Sequence, residues 1–167
     1  MLRLLASLCA NEAYVHIDFV LAETDRSSRA SAEGLREALA CTERPLPPVS
    51  FHTITRSREV GQSYVTSLFS TLHAMMHALR TVFSCRPDLI LCNGPGTCLP
   101  ICAIAFVATS FAPWPIRIVY VESVARVRSL SLTGRIIWKL GLADAFFVQW
   151  PELVERYPGC KFMGRLC

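Results

Sequence analysis

The sequence predicts an α/β fold: a Rossmann-like, mostly parallel sheet covered by helices on both faces. Three observations carry that prediction. Strand-like runs alternate with helical stretches along the chain. The later runs, Ile116-Arg117-Ile118-Val119-Tyr120-Val121 and Ala145-Phe146-Phe147-Val148-Gln149, are largely apolar, as strands buried on both faces are. The chain has 167 residues, 52% of them hydrophobic, enough for one domain with a proper core. All of 1–167 reads as that one domain.

The elements follow in order. Met1-Leu2-Arg3-Leu4-Leu5-Ala6-Ser7-Leu8 has the pattern of the middle of an amphipathic helix, with no strand or cap before it. The expectation is that sequence lies upstream, or that initiation falls inside a longer gene. The run 15–22 is a strand, 31–40 a short helix, and 49–54 a second strand with period-two alternation. Arg44-Pro45-Leu46-Pro47-Pro48 between them is a stiff connector. The longest helix is predicted over 63–84, with Tyr64, Leu68, Leu72, Met75, Leu79 and Val82 as its apolar stripe. Pro87 ends it, and 88–92 is a short buried strand. A helix over 98–109 is apolar on every face and is expected to be buried. A strand over 116–121, a helix over 130–140 and a last clear strand over 145–149 follow. One helical turn is predicted over 152–157, and 161–167 is extended.

Composition narrows the function. Charged residues are 18%, low for a soluble monomer, so part of the apolar surface is expected to lie against a membrane or another protein. The net charge of +4 is mild and spread along the chain, which argues against a nucleic-acid surface. No run reaches the ~18–20 apolar residues of a membrane span. The eight cysteines include no C-x-x-C pair and several lie in apolar runs. They read as buried, reduced thiols in a cytosol-facing domain.

The turn Asn93-Gly94-Pro95-Gly96-Thr97 joins a buried strand to a helix, where an open α/β sheet binds its ligand. Its glycines allow close backbone approach, Thr97 can cap the helix, and free amides there suit a phosphate or diphosphate. The alternative is a tight turn that merely needs glycine. Glu122 ends the next strand at the same edge, where a carboxylate can accept sugar hydroxyls, act as a base, or simply be solvated. Arg126 and Arg128 follow and can meet phosphate charge or water. His73 and His77 are four apart, but residue 74 is Ala, so the zinc-protease pattern is absent and no metal site is expected. No G-x-S-x-G elbow is present.

Three stretches carry a resemblance. They are Arg56-Ser57-Arg58-Glu59-Val60-Gly61-Gln62-Ser63, the run from Pro87 through Asn93-Gly94-Pro95-Gly96-Thr97 to Cys102, and the run from Ile118-Val119-Tyr120-Val121-Glu122-Ser123 through Val148-Gln149-Trp150-Pro151 to Arg165. Together they resemble the membrane-anchoring subunit of the two-subunit UDP-N-acetylglucosamine transferase of dolichol-linked oligosaccharide assembly, over essentially the whole chain. The resemblance implies the N-terminal, acceptor-side half of a GT-B glycosyltransferase. It implies a separate catalytic subunit as partner, no cofactor, and no activity by this chain alone. The complex would act at the cytosolic face of the endoplasmic reticulum membrane, adding the second N-acetylglucosamine to N-acetylglucosaminyl-diphosphodolichol.

On this reading Asn93, Gly94, Pro95, Gly96 and Thr97 hold the acceptor diphosphate, Glu122 lies near the acceptor sugar, and Arg126 is a charge partner. Phe162, Met163, Arg165, Leu166 and Cys167 dock the catalytic subunit. The family's transmembrane anchor, first strand and Gly-Ser-Gly-Gly-His-Thr-like loop have no counterpart in this sequence. The sheet is therefore expected to lack a central strand. A non-catalytic adaptor that keeps only partner binding is the alternative.

Overall fold

The computed structural model describes residues 14–23, 30, 33–34, 47–54, 64–93, 96–111 and 114–164, with backbone alone over 64–70. The predicted helix over 31–40 falls almost entirely outside these residues; Glu33 and Gly34 within it are helical.

The described strands are β1 (Ile17–Ala22), β2 (Val49–Ile54), β3 (Leu89–Asn93), β4 (Arg117–Val121), β5 (Ala145–Val148) and β6 (Lys161–Phe162). The helices are α1 (Tyr64–Cys85), α2 (Cys98–Phe111), α3 (Leu132–Leu140) and α4 (Glu152–Arg156). The alternation is that of a Rossmann-like α/β fold, and every strand pair is parallel. The strands form two sheets, β1-β2 and β3-β4-β5-β6. Among the described residues no strand joins the pair to β3. The two sheets differ in burial. No residue of β1 is fully buried and only Cys92 of β3 is, whereas Ile118, Tyr120 and Val121 of β4 are all within 2% of complete burial.

The core lies on the larger sheet. Ile118, Tyr120, Phe146 and Val148 from the strands pack with Cys102, Ala105 and Ala108 of α2, Ile137 of α3 and Leu153 of α4. Tyr120 and Phe146 stack at 4.8 Å between ring centroids.

The faces of the two long helices differ from expectation. In α1 the buried residues are Ala74, Ala78 and Val82. Leu72 and Leu79, placed on the buried stripe by periodicity, are 59% and 45% exposed, as are Met76 and Phe83 at 57% and 45%. Periodicity finds an apolar arc but not which edge of it turns inward. Here the small residues face inward, against α2 and β2, where alanine permits close approach. The predicted all-buried helix α2 is likewise covered on one side only: Phe106, Val107 and Phe111 are exposed.

Helix α3 is specified at both ends. Ser131 caps its start, with Oγ accepting a hydrogen bond from Gly134 N at 2.9 Å. Gly141 ends it at φ 63°, a left-handed position that favours glycine. The cap is tied to Glu122, whose Oε2 accepts from Ser131 N at 2.9 Å and from Ser131 Oγ at 3.0 Å. Gly134 presses against this carboxylate. A Cβ there would overlap Glu122 Oε2 and stand 3.1 Å from Ser131 Oγ.

Two outcomes follow for equilibrium unfolding in urea. Ala78→Leu should cost about 1–3 kcal/mol by overpacking, whereas Leu72→Ser should change stability by no more than about 0.5 kcal/mol, as at an exposed site. Equal costs at the two positions would restore the stripe read from periodicity. Gly134→Ala sets two effects against each other. Helix propensity alone favours alanine by about 1 kcal/mol, but the clash with Glu122 should reverse the sign and leave a net loss of about 1–3 kcal/mol.

Candidate functional site

In a parallel sheet all strands end on one side, and the loops that leave them share that edge. Registration here makes the ends nearly level. Asn93 pairs with Val121, and Val121 with Phe147. The Asn93–Thr97 turn, the segment 122–131 and the segment 149–151 therefore emerge side by side.

Asn93 is half-buried at the end of β3, Gly96 is exposed, and Thr97 is half-buried just before α2. The carbonyl of Gly96 accepts from Leu99 N at 3.3 Å, closing the turn onto the helix. Gly94 and Pro95 lie outside the described residues.

Glu122 is fully buried, at 0% exposure. Its amide donates to Phe147 O at 2.9 Å, which extends the β4–β5 ladder by one step. Its Oε1 accepts from Ser123 N at 2.8 Å, and Oε2 takes both Ser131 bonds. Ser131 Oγ thus donates to the carboxylate and accepts from Gly134 N, with the Tyr120 hydroxyl 3.4 Å away. A solvated strand-end glutamate is not what forms. No part of Glu122 is exposed in this chain. The carboxylate instead folds 123–131 into a closed loop and starts α3.

That loop presents the cations. Arg126 and Arg128 are exposed on it. Arg156 of α4 donates from Nη1 to Arg128 O at 2.5 Å. Val127, Arg128, Glu152 and Arg156 line a groove between the 123–131 loop and α4. Trp150 Nε1 donates to Val124 O at 2.7 Å and ties the 149–151 segment to the same loop. This arrangement can meet an anionic group at the carboxyl edge, with Arg128 and Arg156 on one groove beside Glu152 and Arg126 exposed on the loop. Sequence reasoning named Arg126 and Arg128 but missed Arg156, which reaches the site only because β5 lies beside β4.

The segment assigned to partner docking divides. Lys161 and Phe162 form β6 beside β5, so this part of the tail folds back on its own sheet. Phe162 and Met163 nevertheless stay 41% and 69% exposed. Arg165, Leu166 and Cys167 lie outside the described residues.

The described cysteines Cys85, Cys92, Cys98, Cys102 and Cys160 are free thiols. Hydrogen bonds with Cys102 and Cys98, together with burial, push the Cys92 thiol well up. Burial, with a smaller effect from the Glu122 charge, pushes Cys160 up to about 11. Both are core groups held neutral, as buried thiols in apolar surroundings are. His73 and His77 stack edge to face at 4.7 Å on α1, and among the described residues neither belongs to a cluster of metal-binding side chains. No helix among the described residues is long and apolar enough to cross a membrane.

The model of the family described as "Oligosaccharide biosynthesis protein Alg14 like" matches residues 1–166. The chain is 42% identical over 168 residues to a Rattus norvegicus protein named UDP-N-acetylglucosamine transferase subunit ALG14, covering 99% of this chain and 76% of the relative. It is 43% identical over 169 residues to the Mus musculus protein of that name, with the same coverage. To the Yarrowia lipolytica protein so named it is 37% identical over 166 residues, covering 99% and 74%. With a family model spanning nearly every residue and relatives matched along the whole chain, this protein belongs to the Alg14 family.

Proposed function

We propose that this chain is the acceptor-binding and recruiting subunit of an inverting glycosyltransferase, the acceptor-side half of a GT-B enzyme whose donor half is a separate catalytic subunit. The observation that carries the reading is the level carboxyl edge. Asn93 lies beside Val121, and the Glu122-pinned loop bears Arg126 next to Arg128 and Arg156. The relatives' printed names supply UDP-N-acetylglucosamine as the donor.

In the reaction the 4-hydroxyl of the acceptor's N-acetylglucosamine attacks the anomeric carbon of the donor sugar. The bond to UDP breaks and configuration inverts. The acceptor is N-acetylglucosaminyl-diphosphodolichol, at the cytosolic face of the endoplasmic reticulum. The Asn93–Thr97 turn holds its diphosphate at the start of α2, where amides and the helix dipole favour negative charge. Arg126 adds a charge-assisted bond. Glu122 acts as a positioning residue: by fixing 123–131 it sets where Arg126 stands. The exposed apolar side chains of α1 and α2 suit the membrane that carries the acceptor, and no cofactor is required. The exposed Phe162 and Met163, continued by Arg165, Leu166 and Cys167, form the surface that docks the catalytic subunit.

Reconstitution with the catalytic subunit tests this reading. The chain alone should transfer no sugar, and transfer by it alone would sink the two-subunit assignment. In the complex, Gly96→Val should lower acceptor use at least tenfold while leaving partner affinity within about threefold. Parallel loss of both would make the turn a structural one that merely needs glycine.

Deleting Arg165, Leu166 and Cys167 should abolish co-purification with the catalytic subunit and shift the melting temperature by less than about 2 °C. A large drop in melting temperature with binding retained in the folded fraction would place the tail on this chain's own core instead.

A further inference from the structure

The smaller sheet carries a cluster that neither the acceptor site nor the relatives' names account for. In the parallel pairing Asp18 stands beside Ser50 and Val20 beside His52. Side chains alternate along a strand, so His16, Asp18, Ser50 and His52 share one face. Cys85 is the last residue of α1, which packs on β2. His52 Nε2 lies 2.9 Å from Asp18 Oδ1 and 3.5 Å from Cys85 Sγ. All three donor atoms fall within 4.8 Å of one another. His16 Nε2 stands at the rim, 3.3 Å from the same Asp18 oxygen and 3.1 Å from Ser50 Oγ.

We propose that Asp18, His52 and Cys85 form a binding site for a zinc-type transition-metal ion, with the fourth position open to water. The chemistry of the donors selects the ion. Thiolate, imidazole and carboxylate together are a zinc set, whereas magnesium and calcium take oxygen ligands. The spacing fits as well. Tetrahedral zinc with its usual bond lengths separates neighbouring ligand atoms by about 3.3–3.6 Å; the His52–Cys85 contact falls there at 3.5 Å and the His52–Asp18 contact is tighter at 2.9 Å.

A cation at the centre would meet a lone pair from each of the three side chains at once. The side chains are half-buried, which leaves an entry path.

Place in the fold defines the role. α1 leaves the carboxyl side of β2 and returns, so its last residue, Cys85, lies toward the amino-terminal ends of the strands, near His16 and Asp18 at the start of β1. This is the side opposite the acceptor edge. The ion is therefore structural: it clamps the two-stranded sheet to the end of α1.

Cobalt titration of the chelator-treated full chain is the direct test. One equivalent of Co²⁺ should give the visible bands of a tetrahedral site and a near-ultraviolet thiolate charge-transfer band. Zn²⁺ should displace it and raise the melting temperature. Cys85→Ser should abolish the charge-transfer band, and His52→Gln and the near-isosteric Asp18→Asn should each weaken binding at least tenfold. Far-ultraviolet circular dichroism selects the variants that fold. Absence of cobalt binding by the native chain, or a band that survives in folded Cys85→Ser, overturns the site and in the second case moves binding to other cysteines.

Discussion

A buried carboxylate governs the larger half of this structure. Removing an ionised glutamate from water is costly unless its oxygens are repaid with hydrogen bonds. Glu122 sits at 0% exposure where β4 ends, so whatever follows β4 must return donors to it. The chain does so twice, with Ser123 N at once and with Ser131 N and Oγ nine residues later. The nine-residue span is thereby closed into a loop, and Ser131, once there, starts α3. Gly134 is fixed by the same demand, because the first turn of α3 must pass against the carboxylate. One group thus dictates a loop, a helix cap and a glycine. The position of Arg126 and the link from Trp150 to Val124 depend on that loop.

Among the described residues the smaller sheet has no fully buried carboxylate of this kind. β1 and β2 form a two-stranded sheet, and such sheets have little stability of their own. Their support comes from α1, which touches both β2 and α2 and is thus the element that connects the halves. The small residues on its inner face allow that close packing. The large ones are displaced outward, to Leu72, Met76, Leu79 and Phe83. Apolar exposure on this scale needs a covering surface, and the low charge content of the chain points the same way.

Much of this was legible in the sequence, for local reasons. β2 was bounded correctly by alternation, α1 to within one residue at each end by periodicity and Pro87, and the apolar runs marked β4 and β5. Lys161 and Phe162 were read as extended, but their pairing as β6 was not, because it depends on the edge that β5 offers. The placement of Asn93 and Glu122 at one sheet edge followed from topology. The inward turn of Glu122 did not, since its donor Ser131 lies nine residues on and nothing in the local pattern of Val121-Glu122-Ser123 distinguishes a buried glutamate from a solvated one. The one available signal was Ser131 ahead of a helix, a cap whose hydroxyl has capacity for a second bond.

The metal-binding cluster was hidden for the same physical reason in stronger form. Asp18 and His52 are 34 residues apart, and His52 and Cys85 33. No short motif spans such distances. The pair that sequence spacing did bring forward, His73 and His77, stacks ring against ring and gathers no third donor. Spacing of four on a helix is a local coincidence that any amphipathic sequence produces. Parallel strand registration and a helix that returns to the start of the sheet are constraints of the whole fold, and they converge several donors on one point. A clamp there stiffens β1 and β2 at the end of α1. The two ends of the protein can then serve different needs: stability at the amino-terminal ends of the strands, and recognition where the carboxyl ends of β3, β4 and β5 come level.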